Sequence, residues 1–296
     1  MMTLTGFADE IGPDLELQIK IIEEENIKFI ELRGVWNTNV IRLSADQQRD
    51  IKRRLDDAGI AISAIGSPIG KVRIDEDWQT HLDDFRVALD MADFFQTPNI
   101  RLFSYYPPEG KDIGDFRDEV MRRMAEKTAI AEGRSLVLLH ENERAIYGET
   151  PERCLEIAKT VDSPNLRLIF DPANFVNDGI VPLDAWPVMR DAVVYFHIKD
   201  MKKGGECVPS GEGDGHIAEI LADADKRGFS GFLSLEPHLA AGGQFGGFSG
   251  PEKFKRAARG RVPRAVLRRR KRGLSVPVSH WLNGGLRAEC DRLLAP

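Results

Sequence analysis

Cysteine is scarce: the 296-residue chain holds three, Cys154, Cys207 and Cys290, far apart and without a CxxC pair. That excludes a disulfide framework and a thiolate zinc site, and it fits a reduced compartment. Long apolar runs are also missing, because nothing approaches the roughly 18 residues that a membrane-spanning helix needs. The stretch Met1 to Glu10 lacks a basic segment followed by an apolar one, so no export signal is expected. The expectation is a cytoplasmic protein with no membrane partner. Nucleotide-loop signatures are absent too. Gly211-Glu-Gly-Asp-Gly215 has neither a Lys-Ser/Thr ending nor a strand-GxGxxG-helix setting, and it reads as a turn leading into a helix.

What is present is ordinary globular composition, with 42% hydrophobic and 30% charged residues. The net charge of −6 hides two unlike parts: residues 261–296 carry nine Arg/Lys against two Asp/Glu, which leaves −13 on residues 1–260. An acidic body repels polyanions, so a nucleic-acid partner is not expected, and the basic run Arg268–Arg272 reads as a solvated segment.

Along residues 1–260, short β-branched or apolar runs alternate with amphipathic stretches eight times, the sequence form of repeated βα units around a parallel sheet. The expected strands are Thr3–Ala8, Lys28–Arg33, Ile60–Gly66, Asn99–Ser104, Leu136–Glu141, Leu166–Asp171, Val193–His197 and Gly231–Glu236. Between them, spacings such as Leu15/Ile19/Ile22 and Ile51/Leu55 give helices one apolar face. Ser44-Ala-Asp-Gln47 reads as a capping box, Thr150-Pro151 as an N-cap followed by Pro at the first helical position, and Gly59, Gly133 and Gly228 as helix ends. The last helix opens at Pro251. The fold class is therefore α/β, a (β/α)8 TIM barrel over residues 1–260, with an atypical basic C-terminal extension over 261–296.

Four successive strands end on a residue that can bind a metal: Glu141, Asp171, His197 and Glu236, separated by 30, 26 and 39 residues. Each interval is about one βα unit, and parallel barrel strands deliver their C-terminal ends to one mouth. Any one of these residues alone reads more simply as a loop or capping residue, but four in succession converge. Three carboxylates and one imidazole form a hard, oxygen-rich set that favours one Mn²⁺ or Mg²⁺ ion, with Co²⁺ or Zn²⁺ also compatible. Candidate substrate contacts are Glu31 and Arg33 at the end of the second strand, Asn174, Lys199 and His238. The plain alternatives are an internal Glu31–Arg33 pair and a Lys199–Asp200 surface pair. Strand alternation sends His140 the opposite way from Glu141, into outer packing. Trp36 and Tyr105-Tyr106 line the pocket or belong to the core, and the glycine-rich run 242–250 reads as a lid or as plain linker.

Residues 3–258 resemble the sugar phosphate isomerase/epimerase family of xylose-isomerase-like barrels. The resemblance rests on Glu141-Asn142, Asp171-Pro-Ala-Asn174, His197-Ile-Lys-Asp200, Gly211-Glu-Gly213 and Glu236-Pro. It implies that Glu141, Asp171, His197 and Glu236 hold one divalent cation, and that Glu141 and Glu236 abstract and return a proton at a carbon next to a metal-bound carbonyl. It also implies a small sugar or polyol substrate and, by analogy, a homodimer. Family members include ketose epimerases, aldose–ketose isomerases and dehydratases of cyclic polyols or keto acids. This chain has Asn174 where the ketose 3-epimerases have His, and Lys203 where they have Arg, which turns the expectation away from a simple ketose 3-epimerase. An endonuclease IV-like reading needs a His-rich three-metal site, which six His and Asn174 do not supply. A barrel without catalysis, disabled by its altered terminus, is the remaining rival. Residues 261–296 are similar to the C-terminal end of asparagine synthetases through Lys271-Arg-Gly-Leu-Ser-Val-Pro277 and Trp281-Leu, with neither the pyrophosphate loop nor the cysteine nucleophile of those enzymes.

Overall fold

A computed structural model of the chain describes residues 1–241 and 247–260, so the extension 261–296 lies outside the described residues. Eight parallel strands form the barrel: β1 Thr3–Gly6, β2 Phe29–Leu32, β3 Ala61–Ile65, β4 Asn99–Leu102, β5 Val137–Glu141, β6 Leu166–Phe170, β7 Val193–Ile198 and β8 Phe232–Leu235. The ladders run β2-β3-β4-β5-β6-β7-β8-β1, and a single parallel bridge, Phe7 to Glu31, closes the ring between β1 and β2. All eight expected strands are present, with ends that differ by at most two residues: seven are trimmed and β7 runs one residue further, to Ile198.

The strands exist because their side chains alternate between two apolar environments. On β5, Leu138 and His140 face the helices while Leu139 and Glu141 face the lumen, where Leu139 packs with Ala64, Ile169 and Tyr195. The same two-residue period turns Glu31 and Arg33, then Tyr195 and His197, then Ser234 and Glu236 inward. Residues in the upper lumen are therefore polar and buried together, and they form the site.

Outside lie α1 Leu15–Glu24, α2 Ala45–Asp57, α3 Trp78–Phe95, α4 Arg117–Glu132, α5 Pro151–Val161, α6 Pro182–Met189, α7 Ile217–Lys226 and α8 Pro251–Arg259. The Ser44/Gln47 capping box forms in full, and Thr150 caps α5 with Pro151 at its start. Gly59 (φ +63°) and Gly228 (φ +81°) take the left-handed turn just past α2 and α7. Gly133 ends α4 but stays right-handed, and Ser135 (φ +58°) makes the left-handed turn instead. α8 seals the junction of β1 and β8 with buried Phe254 and Ala257, and it is tied to α1 by Lys255–Glu24 and Arg259–Glu25 pairs. No helix among the described residues is long and apolar enough to cross a membrane.

Candidate metal centre

Donor atoms of Glu141, Asp171, His197 and Glu236 all lie within 4.8 Å of one another, and all four residues are buried. Each arrives by strand geometry. Glu141 is the last inward position of β5, His197 occupies the equivalent place on β7, and Glu236 directly follows β8. Asp171 follows β6 and caps the short helix Pro172–Asn177, accepting from the Asn174 backbone N–H at 3.1 Å through Oδ1. That leaves its other oxygen turned to the cluster.

His197 Nδ1 is the hub, 3.0 Å from Glu141 Oε1, 3.3 Å from Glu236 Oε2 and 4.0 Å from Asp171 Oδ2. Its far side, Nε2, lies 3.3 Å from Glu31 Oε2, and Glu31 in turn accepts from the Tyr195 hydroxyl at 3.0 Å. Both glutamates of the cluster turn one oxygen to the hub and the other to an arginine. Arg101 Nη1 donates to Glu141 Oε2 at 3.1 Å, and Arg33 Nη1 donates to Glu236 Oε1 at 2.9 Å. Lys199 Nζ stands 2.8 Å from Asp171 Oδ2 and 3.6 Å from Glu236 Oε2.

The charges explain the titration. Burial pushes Glu141 up, but His197 and Arg101 outweigh it and hold the carboxyl at about 2. Burial likewise opposes the ionisation of Glu236, and Lys199 and His238 overcome it, leaving Glu236 well below the usual range. Asp171 ends near 6, because burial exceeds the pull of Lys199 and both glutamates repel its charge. Burial would pull the His197 imidazole down, yet Glu141 and Glu31 hold it well above its ordinary value.

This donor set fits a divalent cation. Asp171 Oδ2 and Glu236 Oε2 are buried and turned into the cluster, where the Lys199 ammonium attends the first and leaves the second without a hydrogen bond, which in an interior is costly unless something else takes its lone pairs. The three carboxylates and the imidazole each offer one donor atom to the same place. The behaviour of Glu31 toward His197 is that of an outer partner which fixes a ligand ring and its tautomer.

Of the other residues singled out in the sequence, Asn174 joins the cluster by donating to Glu141 Oε1 at 3.3 Å and to the Asn142 carbonyl at 2.8 Å. His238 Nε2 lies 3.3 Å from Glu236 Oε1 and 3.2 Å from Glu10 Oε1, and Glu236, with Cys207 and against the effect of burial, raises it to about 9. Glu31 and Arg33 do not pair with each other: Arg33 goes to Asp9 at 2.7 Å and to Glu236. Lys199 turns away from Asp200. The Asp200 carboxylate instead gathers backbone N–H groups of Met201, Gly211, Gly213 and Gly215 at 2.7–3.1 Å, so the glycine loop wraps a side chain rather than a phosphate. A Cβ on Gly213 would come within 2.4 Å of Asp200 Oδ1. His140 faces outward, with Nε2 2.9 Å from Ser104 Oγ. Trp36 and Tyr105 pack against or within the hydrophobic core.

Arg101, Glu10 and Tyr195 are site residues that the sequence reading passed over. Arg101 had a usable signal, a charge inside the short strand Asn99-Ile-Arg-Leu102 at an inward position. Glu10 had none, since it sits in a one-turn helix Ala8–Glu10. It accepts there from the backbone N–H of His238 and the hydroxyl of Ser249, tying the segment after β8 to β1.

The chain belongs to the xylose isomerase-like TIM barrel family, whose model matches residues 19–259. An asparagine synthase model matches the short stretch 251–296. A 3-dehydroshikimate dehydratase of Bacillus anthracis is 21% identical over 186 residues, covering 62% of this chain and 65% of that enzyme. The chain thus spans less than two-thirds of that relative. Among solved structures, a probable 3-DHS dehydratase involved in petrobactin synthesis, also from Bacillus anthracis, superposes with a TM-score of 0.68 at 20% identity, over 88% of this chain and 98% of that one. A D-psicose 3-epimerase in the presence of D-fructose gives 0.68 at 18% identity, covering 87% and 96%. A xylose isomerase-like TIM barrel protein of Mycobacterium smegmatis in complex with magnesium gives 0.66 at 17%, covering 87% and 94%. The names of these neighbours include a dehydratase and an epimerase, and at these identities the likeness is one of fold.

Proposed function

We propose that the protein is a divalent-metal-dependent isomerase or epimerase of a small sugar or polyol, acting by proton transfer at a carbon next to a carbonyl. The observation that carries this reading is the buried cluster of Glu141, Asp171, His197 and Glu236, whose donor atoms all lie within 4.8 Å of one another. A bound Mn²⁺ or Mg²⁺ ion would polarise the carbonyl and offset the charge that develops when the neighbouring C–H bond breaks. Glu141 and Glu236 take and return the proton from their two strands. Arg101 and Arg33 hold the outer oxygens of these carboxylates and so fix their orientation. Glu31 fixes the His197 ring, while Lys199, Asn174 and His238 stand where substrate oxygens can be bound.

A second reading is favoured by one observation, that a curated relative and a solved structure both carry the name of a dehydratase. The first step is shared. In a β-hydroxy ketone, removing the proton next to the carbonyl is followed by loss of the hydroxyl group as water, with a protonated side chain supplying the proton. Small ketoses, cyclic polyol ketones and hydroxylated keto acids are therefore the substrates to screen.

The test begins with metal analysis and Mn²⁺ titration of the wild type, Asp171→Asn and Glu236→Gln, where each variant should bind at least about tenfold more weakly. The screen is then run in D₂O. Deuterium entering the recovered sugar supports isomerisation or epimerisation, and a new ultraviolet band from a conjugated ketone supports dehydration. A folded wild type that binds no metal, or that exchanges no proton in any of these substrates, refutes the reading.

A further inference from the structure

Outside the barrel lumen, a second buried polar cluster lies between α3, α4 and the backs of β4 and β5. Lys127 and Arg123, one turn apart on α4, point inward against the Tyr105 ring, with the Lys127 ammonium 4.7 Å and the Arg123 guanidinium 5.4 Å from its centroid. His81 of α3 meets the same ring edge-on at 5.5 Å. His140 of β5 borders the cluster on the strand side, bound to Ser104. Lys127, Tyr105 and His140 are fully buried, and His81 and Arg123 are buried as well, at the outer side of the cluster.

Five polar atoms here lack a hydrogen-bond partner: Lys127 Nζ, Arg123 Nη1, the Tyr105 hydroxyl, His81 Nε2 and His140 Nδ1. Three of these are donors by chemistry and two carry positive charge. The negative charge that reaches the cluster is Glu119, bound to the Arg123 Nε–H at 2.6 Å and shared with Arg122. Lys127 is left uncompensated. His81 is pushed down to about 3 by burial and by the neighbouring Lys127 and Arg123, so it adds no positive charge and can donate. Tyr105 is held in place by a left-handed backbone (φ +70°), a strained conformation for an aromatic residue.

We infer that this cluster binds a small monovalent inorganic anion of the size and charge of chloride, held by Lys127, Arg123 and the Tyr105 hydroxyl. Water would satisfy the donors but not the charge, and an uncompensated ammonium in an interior is far more costly than an unfilled hydrogen bond. Without an anion the amine sheds its proton instead: burial, and then Arg123, bring Lys127 down to about 7. An anion restores the ammonium, so binding takes up a proton near neutral pH and tightens as pH falls through 7. Lys127, Arg123 and Tyr105 are not among the residues of the metal cluster, so the inference stands apart from the proposed reaction.

The experiment compares the melting temperature at pH 7 in sodium chloride and in sodium gluconate of equal ionic strength, for the wild type, Lys127→Met and Tyr105→Phe. Crystals of the wild type are soaked in bromide in parallel. The wild type should melt about 2–4 °C higher in chloride. That gain should vanish in Lys127→Met and shrink in Tyr105→Phe, and an anomalous bromide peak should lie in contact with Lys127 Nζ. Equal melting in the two salts, an equal gain in Lys127→Met, or bromide confined to the surface would overturn the inference in favour of a neutral amine among waters. If Lys127→Met does not fold, the bromide map of the wild type decides.

Discussion

At the scale of single residues, the candidate metal cluster was legible because four residues able to bind a metal fall at one structural place in four consecutive units. The residues around it were not. A lone Arg, Asp or Glu in a short strand or loop looks the same whether it ends in water or in a pocket, so Arg101, Glu10 and the true partner of Asp200 emerged only in three dimensions. Asp178 is another such residue. Its backbone N–H closes the helix Pro172–Asn177, its carboxyl lies 3.7 Å from Arg144, and one carboxyl oxygen is buried without a partner. Burial, with help from Glu149 and against Arg144, raises it to about 7. Because the folded chain holds this proton more tightly than the unfolded one, the carboxyl favours the fold in acid and ceases to do so as pH climbs from about 4 through about 7. Asp178→Asn should therefore raise the melting temperature at pH 8 by about 2–4 °C and change it little at pH 4.

At the scale of elements, hydrophobic period and capping chemistry located every barrel strand and the starts of α2 and α5. Two short hairpins, Gly34–Val35 with Thr38–Asn39 and Asp200–Lys202 with Glu206–Val208, were not foreseen, because runs of two or three residues carry no measurable period. α3 ends on a left-handed Gln96 (φ +58°) where no glycine marks the stop. The second hairpin and the glycine loop beyond it depend on Asp200, which binds four backbone donors through a charged acceptor. Asp200→Ala should cost about 3 kcal/mol in urea unfolding and speed amide exchange at Gly211, Gly213 and Gly215. An unchanged exchange pattern would show that the loop holds itself. α8 should be as sensitive: Phe254 is fully buried at the β1–β8 junction, so Phe254→Ala should cost about 3–5 kcal/mol by the same measurement.

At the scale of the whole molecule, eightfold repetition made the architecture readable from sequence, since each βα unit confirmed the register of the next. The break in composition after Gly260 was equally plain, and α8 reaches that point with its apolar face already buried. We expect a chain ended at Gly260 to keep its melting temperature within about 2 °C and its Mn²⁺ affinity within about twofold, as checked by scanning fluorimetry and titration. A larger drop would give residues 261–296 a part in the fold. The ring itself is unevenly laced. Beside the lone bridge between β1 and β2, the β3–β4 ladder pairs only Ile65 with Ile100, and side chains such as Asn99 and Ser67 span the rest of that seam. The two thin seams flank β2 and β3, the strands that bring Glu31, Arg33 and Ser63 to the lumen. When the barrel breathes, this pair is the panel that swings first, and it takes with it the support of His197 and one arm of Glu236. Loss of metal should thus precede global melting on heating, and ion release, followed by a chelating dye, would be the earliest sign of unfolding.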